Sequence, residues 1–97
     1  MIDLRPAELA TTREILRRHL RDHRVVAFGS RCTGKARKHS DLDLALIGDA
    51  PVPAAALARL RSDFDESDLP FRVDVVDLAT ASSDFRAAVM AAHEDVL

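Results

Sequence analysis

The chain has 97 residues, 47% hydrophobic and 31% charged, with four Phe, no Tyr or Trp, one cysteine and a net charge of −2. That length holds one domain, residues 1–97, near the lower limit for a self-sufficient core, and the core has to be built from Val, Leu, Ile and Ala. No apolar run approaches the ~20 residues that span a bilayer, MIDLRPAELATT lacks the layout of a secretory signal, and lone Cys32 excludes an internal disulfide, all of which fits a reducing cytoplasm.

Pro6 to His23 carries Leu9, Ile15, Leu16 and Leu20 at helical spacing, with Pro6 suited to the first turn. Arg17, Arg18 and Arg21 gather at its C-terminal end, where the helix dipole favours cations. Arg24 to Gly29 (RVVAFG) reads as a short buried strand that stops at glycine. Residues 30–40 form a polar, basic loop, and Leu42 to Ile47 is a second strand. Pro53 to Phe64 is a helix with Leu57, Leu60 and Phe64 on one face, ended by Leu69-Pro70. Phe71 to Leu78 is a third strand. Ser82 or Ser83 can cap a last helix whose buried stripe is Phe85, Ala88, Val89 and Ala92. The order α-β-β-α-β-α predicts an α/β (α+β) unit with helices packed on a small sheet.

Charge is split along the chain. Residues 1–40 carry a net +6 and residues 41–97 a net −8. The sign changes inside GSRCTGKARKHSDLDLALIG, residues 29–48. From charge alone, two solvated faces of opposite sign are the simpler reading. The first seven residues of that stretch, Gly29 to Lys35, match the start of a P-loop. A P-loop needs Ser or Thr after its lysine to ligate Mg²⁺, and Ala36 has no oxygen to offer, so this reading fails.

The second half of the stretch is more informative. Asp41 and Asp43 are two apart at a strand start, so both point to one face with Cα atoms ~6.5–7 Å apart. Hard cations such as Mg²⁺ take carboxylate oxygens in such a set. In two-metal sites the ions sit ~3.5–4 Å apart and need a further acid. The third strand offers Asp74 and Asp77, which are three apart and project to opposite faces. Asp74 is expected to join the site, because a mid-strand carboxylate is costly to bury uncompensated; Asp77, near the strand end, suits a solvated or turn-capping role. Gly29 and Ser30 end the first strand, where backbone N–H groups and a hydroxyl can meet a triphosphate. Arg31, Lys35, Arg37 and Lys38 are placed to steer it or to form an ordinary basic loop. His19 and His23, four apart, read as surface histidines, since no third ligand accompanies them. Cys32 reads as a bystander thiol near cations that can lower its pKa, and His39, next to Ser40, is given no role at the site's rim.

Gly29-Ser30, ten residues, then Asp41-x-Asp43 resembles the G-S-x10-D-x-D signature of the DNA polymerase β-like nucleotidyltransferases. Gly29-Ser30-Arg31, Gly34 and Ser40-Asp41-Leu42-Asp43-Leu44-Ala45 are most similar to the MNT group, the minimal nucleotidyltransferase domains, and Val73 to Leu78 to that group's third acidic strand. The resemblance covers about residues 5–90. It implies a palm-like small mixed sheet flanked by helices. It also implies two Mg²⁺ ions held by Asp41, Asp43 and Asp74, with ATP as substrate contacting Gly29, Ser30, Arg31 and Ser40. The activity implied is AMP transfer to a hydroxyl, with a tyrosine of a HEPN-domain ribonuclease toxin as acceptor and the chain as its antitoxin. Alternatives are a non-catalytic antitoxin acting by occlusion, and a nucleotidyltransferase subunit for a small molecule such as an aminoglycoside. Direct nucleic-acid binding is not expected, since no reading motif accompanies the basic half.

Overall fold

The computed structural model describes residues 2–20, 22–37 and 40–97; Arg21, Lys38 and His39, named above, lie outside the described residues. The elements are α1 (Pro6–His19), β1 (Arg24–Phe28), β2 (Leu42–Ile47), α2 (Ala54–Asp65), β3 (Val73–Asp77), α3 (Ser83–Ala91) and β4 (Glu94–Asp95), with 3-10 turns at Gly29–Arg31 and Leu78–Thr80. The four strands form one sheet in the order β3-β2-β1-β4. β1 runs antiparallel to β2 and β4, and β2 runs parallel to β3. The sheet is mixed because a long loop joins β1 to β2, while a helical crossover, α2, joins β2 to β3.

Strand alternation assigns the two faces. Leu42, Leu44 and Leu46 of β2 join Val25, Ala27, Val73 and Val75 in the main core, which α1 and α2 close with Ile15, Leu16, Leu20, Leu60 and Phe64. The opposite face has a smaller cluster of Val26, Ala45, Leu78 and Val89, with Phe28 and Ile47 packed against it. Among the described residues, no helix is long and apolar enough to cross a membrane.

Several boundaries differ from the sequence reading. The first helix stops at His19, because Leu20 turns extended to bury itself in the core. The third strand is shorter, from Val73 to Asp77. β4 was not foreseen: two residues are too short for any periodic signal, and they are strand only because β1 has an open edge to pair with. The expected stripe of the last helix is also largely out in solvent. Ser82 caps α3 by accepting from the Phe85 N–H at 3.1 Å, yet Val89 is its one buried residue and Phe85, Ala88 and Ala92 are exposed. The sheet's second face offers α3 only a small apolar patch.

Asp77 is the sharpest correction. It is 6% exposed rather than solvated. One carboxylate oxygen accepts from Val52 N–H at 2.7 Å and the other from Ala79 N–H at 3.0 Å. It does cap a turn, as foreseen, but a buried one. Removing such an acceptor leaves the buried Val52 N–H unpaired, at about 1–3 kcal/mol, and the half-buried Ala79 N–H at a smaller cost. Asp77→Ala should therefore lower unfolding stability by about 1–3 kcal/mol in urea titration, with Asp77→Asn losing less.

Candidate active site

The site begins with strand register. In the antiparallel pair Phe28 stands opposite Asp43, and in the parallel pair Asp43 stands opposite Asp74. Residues in register on neighbouring strands share a face. Phe28, Asp43 and Asp74 thus form one row across three strands, on the face away from α1 and α2. Asp41 precedes β2 and is exposed, in alternation with Asp43. The two carboxylates of the row line a groove of about 560 Å³ together with Phe28, Phe85, Arg61 and Arg72.

The choice of Asp74 as third acid agrees with this row, but the burial argument behind it runs the other way. Asp77 is the buried carboxylate, and the Asp74 side chain is 39% exposed. It needs no deep compensation, because Arg72 lies 3.2 Å from it.

Gly29 explains why glycine is needed next to the row. Its φ is +78°, a left-handed conformation costly for other residues. A Cβ built there would come within 2.4 Å of an Asp43 carboxylate oxygen. The bend therefore lies directly against Asp43. The turn closes through the Cys32 N–H, which donates to the Gly29 carbonyl at 3.0 Å.

Arg31 is placed otherwise than phosphate steering requires. It is 6% exposed. Its Nε donates to the Ser40 carbonyl at 3.0 Å and its Nη1 to the Asp3 carbonyl at 2.8 Å, and its guanidinium lies 4.2 Å above the Phe71 ring. It straps the two ends of the basic loop to the N-terminal segment. Ser40 is likewise engaged: its hydroxyl accepts from the Arg37 N–H at 2.8 Å. These two residues hold the loop that follows the Gly29 bend beside Asp43.

Burial first, then the charges of Asp74 and Asp41, push the Asp43 carboxyl above its ordinary value. Two neighbouring carboxylates thus act on Asp43 across this face. Among the described residues, no three His, Cys, Asp or Glu side chains converge tightly enough to be a finished metal cage. The donor set is nevertheless all carboxylate oxygen, which suits a hard divalent cation, and mutual repulsion is what such a cation relieves. The residues fit the ion.

Other residues expected near chemistry are elsewhere. His19 pairs with Asp63 of α2 and is largely buried, not a surface histidine. His23 packs its ring against Gly48, and its Nε2 is buried without a hydrogen-bond partner. Burial pushes the Cys32 thiol up, with Glu94 next in effect, so cations do not activate it. Arg61 and Arg72 were missed as groove residues. Only the position of Arg72 two before Asp74 hinted at a role, because same-face residues recur at every second place.

A family model described as polymerase beta, nucleotidyltransferase matches residues 11–97. The chain belongs to that family. It is 50% identical, over 88 residues, to a probable protein adenylyltransferase MntA of Haemophilus influenzae, covering 91% of this chain and 77% of that protein. Two crystal structures share its fold. One is a toxin–antitoxin with AMP-PNP, at TM-score 0.78 and 24% identity over 92% of this chain and 72% of the other. The second is a tri-AMPylated Shewanella oneidensis HEPN toxin with its MNT antitoxin, at TM-score 0.72 and 22% identity over 94% and 70%. The row Phe28–Asp43–Asp74 is thus set in a nucleotidyltransferase sheet.

Two predictions concern Asp43, one from the charge crowded on it and one from the Gly29 bend packed against it. A carboxyl whose folded pKa is raised destabilises the fold when ionised, and this cost vanishes once the pH is low enough to protonate it in both states. In metal-free buffer Asp43→Asn should melt higher than wild type at neutral pH. That advantage should shrink as pH falls through the raised Asp43 value and disappear below the ordinary carboxylate range, as followed by circular dichroism. Gly29→Ala should be destabilised by about 1–3 kcal/mol in chemical denaturation, through the left-handed φ and the clash with Asp43.

Proposed function

We propose that this chain transfers AMP from ATP to a tyrosine hydroxyl of a cognate HEPN ribonuclease toxin, and so acts as its antitoxin. The observation that carries the reading is the register row of Asp43 and Asp74 packed against the Gly29 bend, in a chain half identical to a probable protein adenylyltransferase. The likeness to complexes of MNT antitoxins with HEPN toxins supports the choice of acceptor.

In this reading, the Gly29-Ser30 turn offers backbone N–H groups and a hydroxyl to the triphosphate, with the glycine leaving room for close approach. Asp41, Asp43 and Asp74 would hold Mg²⁺, which when bound neutralises phosphate charge and acidifies the acceptor hydroxyl. The acceptor oxygen attacks the α-phosphorus, the bond from that phosphorus to the bridging oxygen breaks, and pyrophosphate leaves. Asp74 takes the hydroxyl proton on its carboxylate, oriented by Arg72. Arg31 and Ser40 keep the loop, and hence the turn, in place.

Incubating the purified protein with the HEPN toxin, ATP and Mg²⁺ should add the mass of AMP to the toxin, on a tyrosine. Asp74→Asn should lower that rate about 10²-fold or more while leaving the melting temperature within a few degrees. A toxin that is silenced in the complex yet never gains mass would overturn the reading.

A further inference from the structure

The face that carries the carboxylates also carries an aromatic step to which AMP transfer, as described, gives no task. Of the four Phe in the chain, Phe64 is in the main core and Phe71 lies under the Arg31 guanidinium. The other two meet on the groove. Phe85 of α3 packs against Phe28 in a T-shaped pair, with centroids 5.8 Å apart and planes at 85°. Both rings line the groove that holds Asp43 and Asp74.

Folding does not account for Phe85. It is 37% exposed, one of two large hydrophobics so exposed among the described residues. Capping by Ser82 and burial of Val89 already secure the helix. The ring does have a place in a nucleotide site. Phe28 immediately precedes the Gly29 bend and stands in register with Asp43. A nucleotide whose phosphates rest on that bend, with its α-phosphorus over Asp43, has this wall beside its sugar and base. Every base has a π-face that stacks on an aromatic side chain, and a purine offers the larger one. The groove's volume is within the range of small-molecule sites.

We infer that Phe85, backed by Phe28, seats the nucleobase and gives the groove a preference for purine over pyrimidine nucleoside triphosphates. The inference rests on the nucleotidyltransferase reading above and adds the base-binding part of that site. Phe85 is then a specificity residue that does not touch the reacting atoms.

The test is calorimetric binding of ATP, CTP and inorganic tripolyphosphate to the whole chain in Mg²⁺. Wild type should bind ATP more tightly than the other two. Phe85→Ala should lose that advantage by about tenfold, with tripolyphosphate affinity unchanged and Phe85→Trp restoring the preference. If Phe85→Ala unfolds, Phe85→Leu decides, because it keeps apolar packing without a ring face. An unchanged ATP advantage overturns the inference and leaves the transferase reading standing. So does a parallel loss for all three ligands. Wild type that binds no triphosphate at all overturns both.

Discussion

The whole site depends on two carboxylates being register partners on adjacent parallel strands. Backbone hydrogen bonds hold β2 and β3 together, and the leucines of β2 are buried on the opposite face. Asp43 and Asp74 therefore cannot separate without breaking the sheet. A slip of one residue would put the leucines in solvent and the acids in the core. The hydrophobic effect that fixes the register thus also holds two anions side by side. Their repulsion is the physical opening for a cation.

Buried polar groups elsewhere do the work of positioning. Asp77 joins Val52, two residues before α2, to the turn after β3, and Arg31 joins the N-terminal segment to the basic loop. In both cases a charge is tolerated inside because backbone partners replace water. The two differ from the site acids in one respect. Asp77 and Arg31 have backbone hydrogen-bond partners within the chain, whereas Asp43 is half-buried among like charges. Asp43's crowded charge marks the candidate face.

The split of charge along the chain takes on meaning in the sheet. β1 belongs to the basic half and β2 and β3 to the acidic half, and pairing puts the Gly29 bend against Asp43. A tight glycine bend next to a carboxylate pair puts main chain and anions at one spot, an arrangement suited to a metal-bound polyphosphate. The solvated-face reading of the charge pattern misses this because it treats the halves as separate surfaces.

Local rules carried much of the reading. Helical spacing located the three helices, short apolar runs located three strands, and the two-residue step between Asp41 and Asp43 put both acids on one side, because side-chain direction follows from backbone period alone. The same parity set Asp74 and Asp77 on opposite faces. Which face held the site, and which acid was buried, depended on neighbours distant in sequence. Asp77 is buried by Val52 and Ala79, Arg31 by Asp3, Ser40 and Phe71, and β4 exists only against β1. Apart from the Asp77–Ala79 turn, which is local and was foreseen, none of these contacts has a periodic or local signature, since each is formed when the sheet closes. The sequence by itself determined the elements and the parity of their side chains. Only packing decided which charges meet the solvent and which are sealed, because burial is a property of the assembled layers and not of any single segment.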